Sequence, residues 1–536
     1  MDNISSEVRQ KSFSAHSIAG MAASATAAFP VIYGPNNKPL LPGAHAYQRT
    51  AAKREGSMHK WIPKRLFSRQ AESMERERIV ERSIDLVQSD PHAAGIIENF
   101  ATTIVGPGLQ PHPSINGELL GIGKEEARKL QAQQRAIYTV WSPWADAGGR
   151  MGDGEIQFLV QRSILQYGEY LVVLPMLQDT ARPYSLACQV IHPLRLKTPT
   201  DLMSRGDIQD GVEIGSYGEP VAYWIKKVDV KKPLSYSSDS SANFMRILAK
   251  KGHRWNVLHG FVTDDPGQVR GMPFFAPAMK FFRDLSDYLD AELVSNVVTA
   301  AFSIFIETGG PDPAMIAAGM ADYAEQDADG DDVRYEEMIP GRIMYGAAGQ
   351  KPHTINPDRP GNTFHVFVKE IKKALALSLN MPYVSLFKDV EGTNYAGMRS
   401  AMLDAWRVFM YRRAWFGKRF NQPRYTMLME EAYLRGDLDI PDFYEKMHLV
   451  TSAQWIGTPK GNIEPVKEIQ ADILAIDNKL DTRGGVITAR GGERGQVFDE
   501  LEEEKDDLES RGLDAAVSTA VVPEDKEDGK EENTQN

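Results

Sequence analysis

The chain has 536 residues, 42% hydrophobic and 25% charged, the profile of a globular protein long enough for several structural regions. Its formal charge of −12 sits at one end: 15 acidic and 4 basic residues lie between Phe498 and Asn536, which leaves 58 acidic and 57 basic residues in positions 1–497. A near-neutral body argues against a basic, sequence-reading DNA binder. A single cysteine, Cys188, excludes an internal disulfide and a cysteine-built zinc site, and with no apolar run of roughly 18–20 residues and no signal-like leader, a cytoplasmic chain without a membrane span is expected.

Positions 1 to about 60 are rich in Ala, Ser, Gly and Pro without sustained periodicity, so a mobile arm is expected there. It ends in Lys53, Arg54, Lys60, Lys64 and Arg65, read as a solvated basic stretch. Asp90-Pro91 pairs a capping residue with proline at the first helical position, predicting a helix through Ile96, Ile97 and Phe100 that stops near Gly106-Pro107-Gly108. A second helix is predicted from Lys124 to Val140, followed by Trp141 and Trp144, read as packing residues. From Glu169 to Ile225 short β-rich runs alternate with Gly, Pro and Asp, predicting an antiparallel β region.

Pro277 opens a long helical stretch to about Ile306, in which Leu285, Leu289, Leu293, Val297, Ala301 and Ile304 recur at three- and four-residue spacing and predict one buried face. A Gly-, Pro- and Asp-rich excursion follows from Gly309 to Gly361, with a short strand predicted at Arg342 to Tyr345. Helical spacing then resumes: Phe364, Phe367, Val368, Ile371, Leu375 and Leu379 form one stripe, with His365, Lys369, Lys372 and Lys373 on the other side. Pro382 ends that segment and a polar loop covers Lys388 to Asn394. A long amphipathic helix then carries Met398, Met402, Trp406 and Phe409 toward a kink expected before Pro423. Glu468 to Leu480 and Val497 to Leu508 read as two further helices, and the acidic end lacks the apolar content to fold alone.

Enzyme signatures are absent from the sequence. There is no G-x-x-x-x-G-K-[ST], no H-E-x-x-H and no G-x-S-x-G, and the eleven histidines are scattered. No cofactor is expected. From Glu325 to Glu336, Asp327, Asp329, Gly330, Asp331 and Glu336 sit at offsets like those of a calcium loop. Glu325 stands where such loops begin with Asp, and Asp332 where an apolar residue belongs, so a hydrated acidic turn is favoured.

Several short motifs in fixed order resemble the lambda-like portal family of tailed bacteriophages, over about Lys64 to Leu513. They are DPHAAGIIENFATTIVGPGL from Asp90 to Leu109, Gly168-Glu169, Val190-Ile191-His192-Pro193, the run GVEIGSYGEPVAYWI, and Asp265-Pro266-Gly267-Gln268-Val269-Arg270-Gly271. Asn394-Tyr395-Ala396-Gly397-Met398-Arg399 is similar to the family's N-Y-S-S-x-R, with two serines replaced. Trp455-Ile456-Gly457 with Ile463-Glu464-Pro465-Val466-Lys467-Glu468 resembles W-x-G…I-D-P-x-K-E.

The resemblance implies an α+β fold, mainly helical, with an antiparallel β region in its wing, assembling as a dodecameric ring at one capsid vertex. On this scheme 1–60 is the arm, 61–272 the wing, 273–307 the first stem helix, 308–361 the clip and 362–382 the second stem helix. The tunnel loop is 383–396, a long wing helix and return 397–455, the crown helices 456–513 and a disordered acidic tail 514–536. It further implies a channel for double-stranded DNA and docking of the terminase large subunit, head-completion and connector proteins, and major capsid and scaffold proteins, with no membrane partner. Tunnel-loop contacts to DNA fall on Lys388, Asp389, Glu391 and Asn394, channel-facing stem residues on Lys369, Lys372 and Lys373, and partner docking on Asp327, Asp329, Asp331 and Asp332. The chain is expected in the virion, and in the host cytoplasm during assembly. The competing readings are another oligomeric virion component and a metal-dependent enzyme built on 325–336. Calorimetric titration with calcium is expected to give no heat that saturates at micromolar metal.

Overall fold

The computed structural model describes residues 32–33, 39–40, 68–228, 239–301, 304–307, 343–346, 364–461, 465–492 and 494–511. Two compact units are separated at Phe67. In the first, Ile32–Tyr33 pairs antiparallel with Pro39–Leu40. Everything below concerns the second.

Among the described residues its helices of seven residues or more, in chain order, are α1 (Ser68–Ser89), α2 (Pro91–Ile104), α3 (Lys124–Trp141), α4 (Asp153–Tyr167), α5 (Met279–Ala301), α6 (Phe364–Ser378), α7 (Tyr395–Phe416), α8 (Gln422–Arg435), α9 (Phe443–Val450), α10 (Pro465–Asp477), α11 (Arg483–Ala489) and α12 (Arg494–Ser510). The strands used here are β1 (Gln110–Pro113), β2 (Glu169–Val173), β3 (Gln189–Ile191), β4 (Ile208–Gln209), β5 (Val212–Ile214), β6 (Pro220–Lys226), β7 (Phe244–Leu248), β8 (Val257–Phe261) and β9 (Ala453–Ile456). The α+β class is as expected. The antiparallel region is larger than expected, running to Phe261 as a three-stranded sheet β8-β2-β3 and a four-stranded sheet β4-β5-β6-β7.

α2 begins where its sequence says it should: the Asp90 carboxylate accepts from the Ala93 amide at 2.9 Å, and Ile96, Ile97, Phe100 and Ile104 are buried. α1 and α4 escape periodicity because their buried faces are partly polar. α1 buries Arg76 and Ser83 with Val80 and Val87; α4 buries Asp153, Gln157, Gln161 and Ser163 among its aliphatics. Trp141 is fully buried and donates its indole N–H to the Leu186 carbonyl at 2.8 Å, whereas Trp144 is exposed.

Two expectations about α5 need correction. The helix ends at Ala301 and Ile304 lies in a strand, Ile304–Glu307, paired in parallel with Ile343–Gly346, the strand foreseen near Arg342. The stripe also diverges from burial: Leu285 is buried, but Leu293 and Val297 are 63% and 56% exposed, while Glu292 is buried. The irregularity foreseen before Pro423 is a π turn, Gly417–Asn421, joining α7 to α8.

The sequence motifs meet in space at two nodes. At the first, Glu169 of β2 is fully buried and accepts from Arg270 Nε at 2.9 Å, from Arg76 Nη1 at 3.2 Å, from His259 Nε2 at 3.1 Å and from the Gly271 amide at 3.1 Å. Arg270 also donates to the carbonyls of Pro193 and Leu196 at 3.1 and 2.9 Å. Gly168 and Gly271 let the two backbones cross: a Cβ on Gly271 would stand 2.1 Å from the Gly168 carbonyl oxygen, and Gly168 has φ +88°. At the second node, Arg413 of α7 donates to the Ile104 and Thr103 carbonyls at 2.9 and 2.7 Å, closing the C-terminal end of α2. The Trp455-Ile456-Gly457 strand lies beside it, pairing with β1.

Burial alone would raise the Glu169 carboxyl, but Arg270 and then Arg76 outweigh it and hold the group well below its usual range. Burial pulls His259 down, past the opposing hydrogen bond to Glu169. Both groups are depressed in the fold, so both make stability fall on acidification: His259 below about pH 6.5 and Glu169 below about pH 4.5, their ordinary values. Glu169→Gln should cost about 3–5 kcal/mol by leaving two guanidinium groups uncompensated, and should make the acid-side loss below pH 4.5 shallower by the share of that one group; chemical denaturation from about pH 2.5 to 8 measures both.

Candidate channel and loop elements

The residues assigned to channel and loop lie in two adjoining elements, α6 and the segment that links it to α7. α6 buries Leu375 and Ala376, and Leu379 just beyond it. At its other end Phe364 stacks on Tyr288 of α5 with centroids 5.8 Å apart, and Phe367 meets the same ring edge-on at 5.0 Å. Val366 and Phe367 remain 62% and 50% exposed.

After α6 the chain forms a short helix, Tyr383–Phe387, before the loop proper, so only 388–394 of the expected 383–396 loop is irregular. Lys388 ends the short helix in the left-handed conformation at φ +54°. Tyr383 donates its hydroxyl to Asp389, and Asp389 also accepts from the Glu391 amide at 3.1 Å. The Tyr383 hydroxyl, then the Glu391 amide, hold the Asp389 carboxyl below its ordinary value, and Lys369 and Lys372 act in the same direction. Tyr383 is raised to about 12, by loss of solvent and then by that hydrogen bond. Asn394 caps α7, its side-chain oxygen accepting from the Gly397 amide at 2.8 Å. The contact uses only the backbone amide of Gly397, where a Cβ would stand 2.9 Å from the capping oxygen.

The three lysines do not act alike. Lys369 lies over the Tyr383 ring at 5.8 Å and Lys372 over the Phe387 ring at 5.5 Å, so both lean toward the short helix. Lys373 pairs with Glu370 at 2.6 Å on the exposed side. The structure thus gathers Lys369, Lys372 and Asp389 around the short helix, ties Asp389 to the Glu391 amide, and leaves Lys373 apart from that contact. Tyr383 and Phe387, which organise the group, were not singled out in sequence; their only sign was aromatic spacing of four after a proline. Asp327, Asp329, Asp331 and Asp332 lie outside the described residues. Among the described residues no group of three or more His, Cys, Asp or Glu is arranged to hold a metal, and no helix is long and apolar enough to cross a membrane.

The model of the lambda family of phage portal proteins matches residues 54–413. The chain belongs to that family. The motif resemblance is borne out, and the relatives extend it beyond Arg413. The portal protein of Escherichia phage N15 is 23% identical over 92% of this chain and 96% of its own length. Portal protein B of Escherichia phage lambda is 22% identical over 91% of this chain and 94% of its own. Among solved structures, the neck of a gene transfer agent particle computed with C12 symmetry contains a chain with 13% identity and a TM-score of 0.40, covering 76% of this chain and 93% of that one. Within this portal chain the loop cap is local and testable: Asn394→Ala should cost about 1 kcal/mol, read as faster amide exchange at Tyr395–Met398 with little change elsewhere.

Proposed function

We propose that twelve copies of this chain form a ring at one capsid vertex, through whose channel the duplex genome is packaged and later ejected. The observation that carries the ring is the apolar surface one chain leaves uncovered: Leu293, Val294 and Val297 on α5, at 56–63% exposure, with Val366 and Phe367 on α6. Such surface on helices is stable when a neighbouring copy covers it. The same need appears in α10, α11 and α12, none of which buries a residue, although Val466, Ile469 and Ile473 recur on one face of α10.

On this reading 61–272 and 397–455 build the wing, 273–307 and 362–382 the stem, 308–361 the clip, 383–396 the tunnel segment and 456–513 the crown. The near-neutral body suits passage of DNA, because many phosphate contacts at once would bind tightly and resist sliding. Lys388, Asp389, Glu391 and Asn394 touch the duplex without reading bases, and Lys369, Lys372 and Lys373 offer brief phosphate contacts. Asp327, Asp329, Asp331 and Asp332 meet basic residues of the terminase large subunit and later of head-completion and connector proteins, gaining speed and selectivity of encounter. The major capsid and scaffold proteins surround the wing. The chain works as a structural, non-enzymatic part of the virion.

Negative-stain electron microscopy of the purified protein should show particles with a central opening and high rotational symmetry; a compact monomer at every concentration and salt overturns the ring. Deleting 388–394 should leave rings intact while lowering the yield of filled heads, measured as DNA protected from nuclease.

A further inference from the structure

Arg412 and Arg413 are neighbours on α7 with opposite circumstances. Arg413 is buried and fully engaged with two carbonyls of α2. Arg412 is half-buried, and among the described residues it makes no hydrogen bond or ion pair; its guanidinium rests on the Phe274 ring at 4.7 Å, with Phe100 at 5.8 Å. Burial pulls its pKa down, against through-space pulls from Asp264 and Tyr411. It lines a cavity of about 310 Å³ with Val262, Asn380, Arg407, Tyr411 and Trp415. Tyr411 is 68% exposed at the rim, and Arg407 is held there by Asp404 at 3.0 Å.

A half-buried guanidinium that has aromatic contacts and no ion-pair partner keeps its donors open, and its planar fork is made for a carboxylate. A cavity walled by arginine, tyrosine and tryptophan has the composition of an interface centre. We infer that this cavity receives an aspartate or glutamate side chain from a second copy of the chain, with Arg412 as its partner. The inference rests on the ring reading and names one of its contacts. A side chain is favoured over duplex phosphate because the walls are aromatic as well as basic, the composition of a protein interface.

The test is assembly of the full-length chain, followed by sedimentation velocity over a range of protein and salt concentrations. Arg412→Ala should require at least about tenfold more protein for half assembly, Arg412→Glu should block assembly, and Arg407→Ala and Tyr411→Ala, at the rim, should shift it the same way by smaller factors. Should Arg412→Ala melt early, the two rim variants decide: assembly unchanged in both overturns the contact. Variants of Arg412 that keep the wild-type melting temperature and assemble normally also overturn it, as does loss of binding to duplex DNA or inorganic phosphate without loss of assembly. A wild-type chain that never assembles sinks the ring reading as well, whereas wild-type rings untouched by these changes sink the contact alone.

Discussion

Glu169 is the charge on which the second unit is organised. A buried carboxylate is tolerated only when cations and donors surround it, and the four that do so come from α1, β8 and the segment ahead of α5. Because Arg270 also holds the carbonyls of Pro193 and Leu196, the direction in which the chain leaves the sheet toward α5 is set by one side chain. Three motifs far apart in sequence are therefore parts of a single joint, which gives a physical reason for their appearing together.

The second node does similar work with less charge. Arg413 ends α2 by satisfying carbonyls that have no helical partner, and the strand bearing Trp455 packs on the π turn, with Gly417 against the indole. A polar network lies beneath it. Arg424 of α8 pairs with Asp153 of α4, Asn421 donates to Gln157 at 3.0 Å, and Gln157 accepts from the Leu109 amide at 3.0 Å. The motif ending in Leu109 thus meets the long helix through side chains that are fully enclosed and mutually satisfied.

Sequence reading succeeded where one local rule decided the outcome. Asp90 and Asn394 cap helices because a short oxygen beside a helix start accepts an orphan amide, and the strand near Arg342 stood out between breakers. It failed where burial was settled by partners hundreds of residues away. α1 and α4 bury arginine, aspartate and glutamine, which no apolar period registers, because Arg76 answers Glu169 and Asp153 answers Arg424. On α5 the period was real, but it could not say whether the stripe faces the chain's own core; Leu285 does and Leu293 does not. In the loop, Asp389 and Asn394 were named, while Tyr383 in the short helix before it and Arg412 on α7 depend on contacts that only folding creates.

The π turn at Gly417–Asn421 separates two helices that would otherwise form one screw. Each residue of an α-helix advances the next by about 100°, so trimming a single residue there would swing α8 around its axis and carry Arg424 away from Asp153 and Tyr425 away from Gln134. The turn serves as a phase adjuster. It lets α7 keep Arg413 on the end of α2 while α8 keeps a separate rotation that suits Asp153 and Gln134.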